Sequence, residues 1–234
     1  MKDVSVVVGM GEVGKAVARV LAKTYEVVPI DLKTMCKVTG EMRVRVLHIC
    51  LPWSDEFVAE VIRYRKLYTP GHTVIHSTVP VGVSRTCGAL HSPIVGRHPH
   101  LAKAVEVSTR FIGGKDAGEV ADYFRRAGLE VYIVDEQEET ELMKLLSTLW
   151  YGVCIELTKE TKRLCDKHDV PFEFFTLWTQ AYNHTAEALG YPDVRRPNLV
   201  PVMKRIGGHC VLPNAELLDS RFADLLRRLN ALDG

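Results

Sequence analysis

Residues 4–31 constrain the fold more than any other stretch. Val4-Ser5-Val6-Val7-Val8 is a short β-branched run, the pattern of a strand buried on both faces of a parallel sheet. Gly9-Met10-Gly11-Glu12-Val13-Gly14 follows at once, and from Lys15 to Lys23 the residues Ala16, Val17, Val20 and Leu21 recur at helical spacing. Tyr25 to Ile30 reads as a second strand that ends in Asp31, 22 residues after Gly9. Strand, G-x-G-x-x-G, helix, strand and acid in that register imply a dinucleotide site. In this reading Gly9 allows the tight turn, Gly11 lets a pyrophosphate approach the backbone, and Gly14 lets the helix pack on the strand. The helix N-terminus offers N–H groups and partial positive charge to the phosphates. The expected cofactor is NAD, held by Gly9, Met10, Gly11, Glu12, Val13 and Gly14, with Asp31 and Leu32 at the ribose. Asp31 would repel a 2′-phosphate, which favours NAD over NADP, and Lys33 softens that preference.

Composition excludes several classes. The 234 residues are 47% hydrophobic and 25% charged, so the chain is neither disordered nor low-complexity. A net charge of +1 argues against a nucleic-acid partner bound by bulk electrostatics. No apolar run reaches about 18 residues, so no membrane span is expected. Val4 to Val8 is too short for a signal peptide. Six cysteines without a CxxC pair fit a reduced, cytoplasmic protein.

Further on, Val44 to Leu51 is another apolar run ending at Pro52, Asp55 to Tyr68 reads as a helix, and His72 to His76 as a strand leading into Ser77-Thr78-Val79-Pro80. Phe111-Ile112-Gly113-Gly114 and Val131 to Val134 are further strand candidates. This alternation predicts an α/β fold of Rossmann type, a doubly wound parallel sheet over residues 1–136. Loops after its strands would face the cofactor, which brings Cys50, Leu51, Pro52, Ser77 and Thr78 to the nicotinamide end. Residues 137–234 read as a helical domain with a long central helix, because Leu142, Leu145, Leu146, Leu149, Val153, Leu157 and Leu164 recur at helical intervals and only Gly152 interrupts. Such a helix would build a substrate domain, a homodimer interface, or both. Phe172 to Leu189 predicts another helix, Tyr191 to Asn214 a loop, and Ala215 to Leu232 a final amphipathic helix.

Four segments resemble the nucleotide-sugar 6-dehydrogenases, the UDP-glucose and GDP-mannose dehydrogenase family. His76-Ser77-Thr78-Val79-Pro80-Val81-Gly82 resembles that family's S-T-V-P-P-G segment, and Glu141-Leu142-Met143-Lys144 the E-x-x-K that opens its long helix. Lys159-Glu160, with Cys165-Asp166 after it, sits where the family has N-E and a C-E-like pair. Gly207-Gly208-His209-Cys210-Val211-Leu212-Pro213-Asn214 resembles the segment with the nucleophilic cysteine. Three positions depart from the family pattern. Ser92-Pro93-Ile94-Val95 has no acid, Thr148 stands where the family has Asn, and Asn214 where it has Asp. The family's third, nucleotide-gripping domain would begin about where this sequence ends.

The resemblance implies oxidation of an alcohol by NAD, capture of the aldehyde by Cys210, a second oxidation and thioester hydrolysis. Lys144 would stabilise an alkoxide or oxyanion. Thr148 lies one turn along on the same face, and Thr78 would hold a water or the nicotinamide amide. Asn214 cannot be a base, so His98, His100 or His209 would carry the proton. Gly96-Arg97-His98-Pro99 is similar to a short segment of prephenate-type dehydrogenases. Arg97, Thr148, Arg205 and Asn214 are the candidate substrate contacts, and Arg195, Arg196, Lys204 and Arg205 suit an anionic small molecule. No metal site is expected. Two other readings stay open: a two-electron β-hydroxyacid or prephenate-like dehydrogenase in which Cys210 is not a nucleophile, and an NAD-binding sensor or scaffold without catalysis.

Overall fold

The computed structural model describes residues 2–31, 42–96, 100–208 and 210–233. The chain divides into two compact units, Met1–Lys144 and Leu145–Gly234.

Unit 1 is built on a seven-stranded sheet. Its strands are β1 (Lys2–Val8), β2 (Val27–Ile30), β3 (Met42–Ile49), β4 (His72–Ile75), β5 (Leu90–His91), β6 (Arg110–Gly113) and β7 (Val131–Val134). They lie in the order β2-β1-β3-β4-β5-β6-β7. The order reverses beside β1: β2 is on one flank and β3 on the other, which opens a crevice at their carboxyl ends. Helices α1 (Glu12–Leu21), α2 (Phe57–Tyr68), α3 (Val83–Thr86), α4 (Leu101–Val107) and α5 (Ala117–Arg126) complete the unit, with the first turns of α6 (Gln137–Lys167). Val7, Ala16, Val17, Val20, Ile112, Val120 and Phe124 form one apolar layer, and Val6, Ile49, Phe57, Val61 and Ile75 the other. A Rossmann-type α/β domain followed by helices is therefore the observed architecture.

The sheet is not wholly parallel. β5 and β6 pair antiparallel, with His91 opposite Gly113, and β7 follows β6. The carboxyl end of β6 therefore faces away from the crevice, and Gly113 and Gly114 serve packing. A Cβ on Gly113 would overlap the carbonyl of Glu136, and one on Gly114 would stand 2.7 Å from the Gln137 side chain. β5, α3 and α4 had no clear signature, being too short for a periodicity.

Unit 2 holds the rest of α6, then α7 (Phe172–Ala188), a 3₁₀ turn (Pro192–Val194), α8 (Val211–Glu216) and α9 (Arg221–Leu232). At 31 residues α6 is about 46 Å long. Gly152 lets it pack closely, since a Cβ there would meet Val211 at 2.6 Å and Leu226 at 2.7 Å. Leu149, Val211, Ala215, Ala223 and Leu226 are the buried cluster around it. The expected single helix from Ala215 to Leu232 is in fact two, because Ser220 caps a new start by accepting from the Phe222 N–H. No described helix is long and apolar enough to cross a membrane.

Among the described residues of unit 1, three histidines are fully buried: His48, His76 and His91. Burial pulls His48 down to about 3, His91 to about 4 and His76 well below the usual imidazole value, with the nearby Arg110 charge acting in the same direction on each. The native state thus binds fewer protons than the unfolded chain below pH 6.5, and stability falls with acidification through that window. Three such groups should cost about 3–4 kcal/mol between pH 6 and pH 5. Urea midpoints followed by Trp53 fluorescence, with Trp150 and Trp178 changed to Phe, measure this; a flat midpoint down to pH 5 would contradict it.

Candidate functional site

The crevice is shaped by three glycines with three different functions. Gly9 has φ +90, and a Cβ on it would stand 2.7 Å from the Cys50 carbonyl oxygen, so it is both turn and close approach. A Cβ on Gly14 would overlap the Gly9 carbonyl, so Gly14 seats α1 on the loop. Gly11 is the N-cap of α1 and brings no side chain to cap its first turn, and a Cβ there would meet nothing within 4 Å. Open space beside Gly11 at the start of a ten-residue helix fits the approach of a diphosphate. Asp31 follows β2, half-buried, at the position for a ribose. Leu32 lies outside the described residues.

The loops after β3, β4 and β5 are laced together at the same end of the sheet. Cys50 N–H donates to Val8 O (2.8 Å), His76 N–H to Ile49 O (2.8 Å) and Ser92 N–H to Ile75 O (2.9 Å). The Ser77 hydroxyl donates to Leu51 O at 2.5 Å, and His91 Nε2 lies 3.1 Å from Ser77 O. Ser77 is therefore a brace, whereas Thr78 beside it is only half-buried. Burial pushes the Cys50 thiol up to about 12, which makes it an inert wall.

Below these loops lies a polar network that the sequence reading did not single out. His48 Nδ1 meets His76 Nε2 at 3.0 Å, and His48 Nε2 meets the Tyr123 hydroxyl at 3.3 Å. Arg110 Nη2 donates to Ser92 O (2.6 Å) and Ser92 Oγ (2.8 Å) and lies 3.1 Å from His76 Nδ1. Arg110 is 2% exposed and makes no ion pair among the described residues. Burial lowers it to about 10, so it stays charged at neutral pH. The available signal was His48 inside an apolar run and Arg110 at the head of a strand.

The first turns of α6 grip two loops of unit 1. Glu141, fully buried, accepts from Gly82 N–H (2.6 Å) and Ser84 N–H (2.7 Å) and so caps α3. Burial outweighs these bonds and raises its carboxyl above the usual range. Lys144, three residues on and hence on the same helix face, donates to Ile94 O at 2.8 Å. The E-x-x-K motif is thus a clamp on the segments after β4 and β5, and it brings an ammonium to the carboxyl-end loops.

In unit 2, Asn214 Nδ2 donates to Thr148 Oγ1 at 3.2 Å, and Thr148 also donates to Leu145 O. Two of the three positions that depart from the resembled pattern, Thr148 and Asn214, are therefore partners. Cys210 is exposed and precedes α8, while Gly207 and Gly208 face open space. Arg205 donates to Ala231 O at the end of α9, and Arg196 stacks on Tyr182. Lys159 is buried between Glu156 (2.8 Å) and Asp233 (2.6 Å), an ion triad that ties α9 to α6. Arg97, His98 and His209 lie outside the described residues; His100 is exposed at the start of α4. No cluster of three metal-ligating side chains occurs among the described residues.

No protein-family model matches the chain, and no curated protein matches its sequence. Solved structures match its fold. The UDP-D-ManNAc dehydrogenase of Pyrococcus horikoshii superposes with a TM-score of 0.69 at 18% identity, over 98% of this chain and 68% of that one. The UDP-glucose dehydrogenase of Pyrobaculum islandicum gives 0.75 at 16%, over 99% and 68%. The 3-hydroxyisobutyrate dehydrogenase of Mycobacterium tuberculosis gives 0.67 at 14%, over 99% and 93%.

Replacing Glu141 by Ala would leave the Gly82 and Ser84 amides without their carboxylate. Unit 1 should lose about 2–3 kcal/mol, with Glu141→Gln losing less because one acceptor oxygen remains. Chemical denaturation of the two variants checks the order.

Proposed function

We propose that this chain is an NAD-dependent oxidoreductase acting on the hydroxyl of a small anionic substrate. One observation carries the reading: Gly9, Gly11 and Gly14 fill separate roles of turn, open approach and helix seating at the sheet's switch point, with Asp31 on the adjoining strand. The dehydrogenase structures whose fold the chain shares support it. A nicotinamide dinucleotide bound there supplies a two-electron acceptor. The start of α1 would hold its diphosphate, and Asp31 would accept from its ribose hydroxyls and repel a 2′-phosphate.

Lys144 is the cation for a developing alkoxide. Its ammonium is held on Ile94 O, so little reorganisation is needed when charge appears. His48, His76 and His91 are neutral and enclosed, with values far below neutral pH, and are unfit to carry the proton. That task falls to His98 or His209, or to exposed His100. In the four-electron version the Cys210 thiol would add to the aldehyde to give a thiohemiacetal, loss of a hydride from it to a second nicotinamide dinucleotide would leave a thioester, and water would hydrolyse that to the acid and free the thiol. Asn214 gives its amide to Thr148, which leaves that version without a carboxylate base at this position. The two-electron version draws support from the 93% of the 3-hydroxyisobutyrate dehydrogenase that the chain matches.

Gly11→Val tests the cofactor reading cleanly. The new side chain enters open space, so the fold and its thermal midpoint should hold, while NADH affinity measured by fluorescence titration drops at least about tenfold. Unchanged affinity, or no NADH uptake by the parent chain, would overturn the proposal. A screen of hydroxy acids and nucleotide sugars, read as NADH absorbance, then identifies a substrate. With it, Cys210→Ser should abolish acid product by at least about a hundredfold if the thiol route operates, and change turnover by less than about threefold if it does not.

A further inference from the structure

We propose a second anion site in unit 1, at the opposite end of the sheet from the glycine loop, that takes a phosphate oxyanion either free or as a small phosphomonoester. A cavity of about 310 Å³ opens there, where β4 begins. The side chains that define it are Arg65, His72, Thr73, Lys115, Asp116 and Gln137. An adjoining hollow of about 400 Å³ shares Arg65 and Pro70 with it and adds Lys66.

Two buried donors at this cavity have no protein acceptor. Thr73 is 5% exposed, and its hydroxyl has no hydrogen-bond partner; Arg65 Nε is likewise buried and unpartnered. Native interiors rarely leave such groups unmet, and each costs free energy unless something fills the role. The Arg65 guanidinium is held in place, since Nη1 donates to Cys87 O and lies over Gly88, where a Cβ would stand 2.6 Å away. Arg65 and Lys115 make no ion pair among the described residues. The other polar walls are occupied. Gln137 Nε2 donates to Ala89 O at 3.1 Å, and His72 Nε2 meets Glu119 at 3.1 Å. Asp116 is the one carboxylate among the lining residues, set against two cations.

A bridging water would meet the hydroxyl and the Nε–H but leave the excess of two cations over one carboxylate uncompensated. A carboxylate would offer two oxygens in one plane. A tetrahedral phosphate offers acceptors in several directions to a guanidinium, an ammonium and a hydroxyl, and its charge offsets theirs. The first turn of α5, at Ala117 just beyond Lys115 and Asp116, adds its partial positive charge to the same rim.

Calorimetric titration of the intact chain with inorganic phosphate, glycerol 3-phosphate, acetate and glycerol, at ionic strength held constant with sodium chloride, tests the site. Saturable binding of the two phosphates is expected, with acetate at least about tenfold weaker and glycerol silent. Thr73→Val keeps the side-chain shape and removes only the unpartnered hydroxyl, so its thermal midpoint should stay level or rise while phosphate affinity falls about tenfold. Lys115→Gln, at the surface, should weaken binding by a similar factor. Absence of saturable binding, equal binding of acetate, or undiminished phosphate affinity in both variants would overturn the proposal. The last result would place the anion elsewhere, at the glycine loop for example.

Discussion

The close approach of backbone to backbone at the end of β1 is the constraint on which the rest of unit 1 depends. There is room only for hydrogen between Gly14 and the Gly9 carbonyl, and Gly9 itself lies against the Cys50 backbone. That contact fixes the distance between α1, β1 and β3 at once. It lets Ala16, Val17, Val20 and Leu21 bury against the sheet, and it leaves Gly11 uncovered at the helix start. A side chain at either packed glycine would push the helix off the strand and close the crevice.

Beneath the crevice, unit 1 buries His48, His76, His91, Ser92 and Arg110. Arg110 keeps its charge without a carboxylate among the described residues, held by Ser92 and the face of Phe124. Desolvating a guanidinium is costly, and its bonds to a carbonyl and a hydroxyl offset only part of that. The same charge helps to keep the surrounding imidazoles neutral. The imidazoles that look suited to acid–base work are therefore structural, whereas Lys144 and Thr78 stay half-buried. Glu141 and Lys144 show one helix turn used twice, the first to cap α3 and the second to hold the Ile94 loop.

Much of the fold was legible because it is local. The strands β1, β4 and β7, the helices α1, α2, α6 and α7, and the glycine loop each declare themselves through a period or a turn within a few residues. The break at Ser220 was written as an N-cap but masked by the apolar period on both sides of it. The reversal of β6 was not legible, since a four-residue strand has the same pattern in either direction. Of the site, the loop residues and Lys144 follow from motif and resemblance, whereas the partnership of Asn214 with Thr148, 66 positions apart, does not.

The sequence by itself determined that this chain makes a parallel βαβ start with a glycine at the helix N-terminus above it, because glycine spacing and β-branched runs act between near neighbours. Tertiary structure alone decided which polar groups would be enclosed and which left at the surface. The states of Arg110 and His48, the clamp at Glu141 and the empty donors around Thr73 all come from contacts between distant segments, and burial belongs to the assembled sheet rather than to any stretch of the chain.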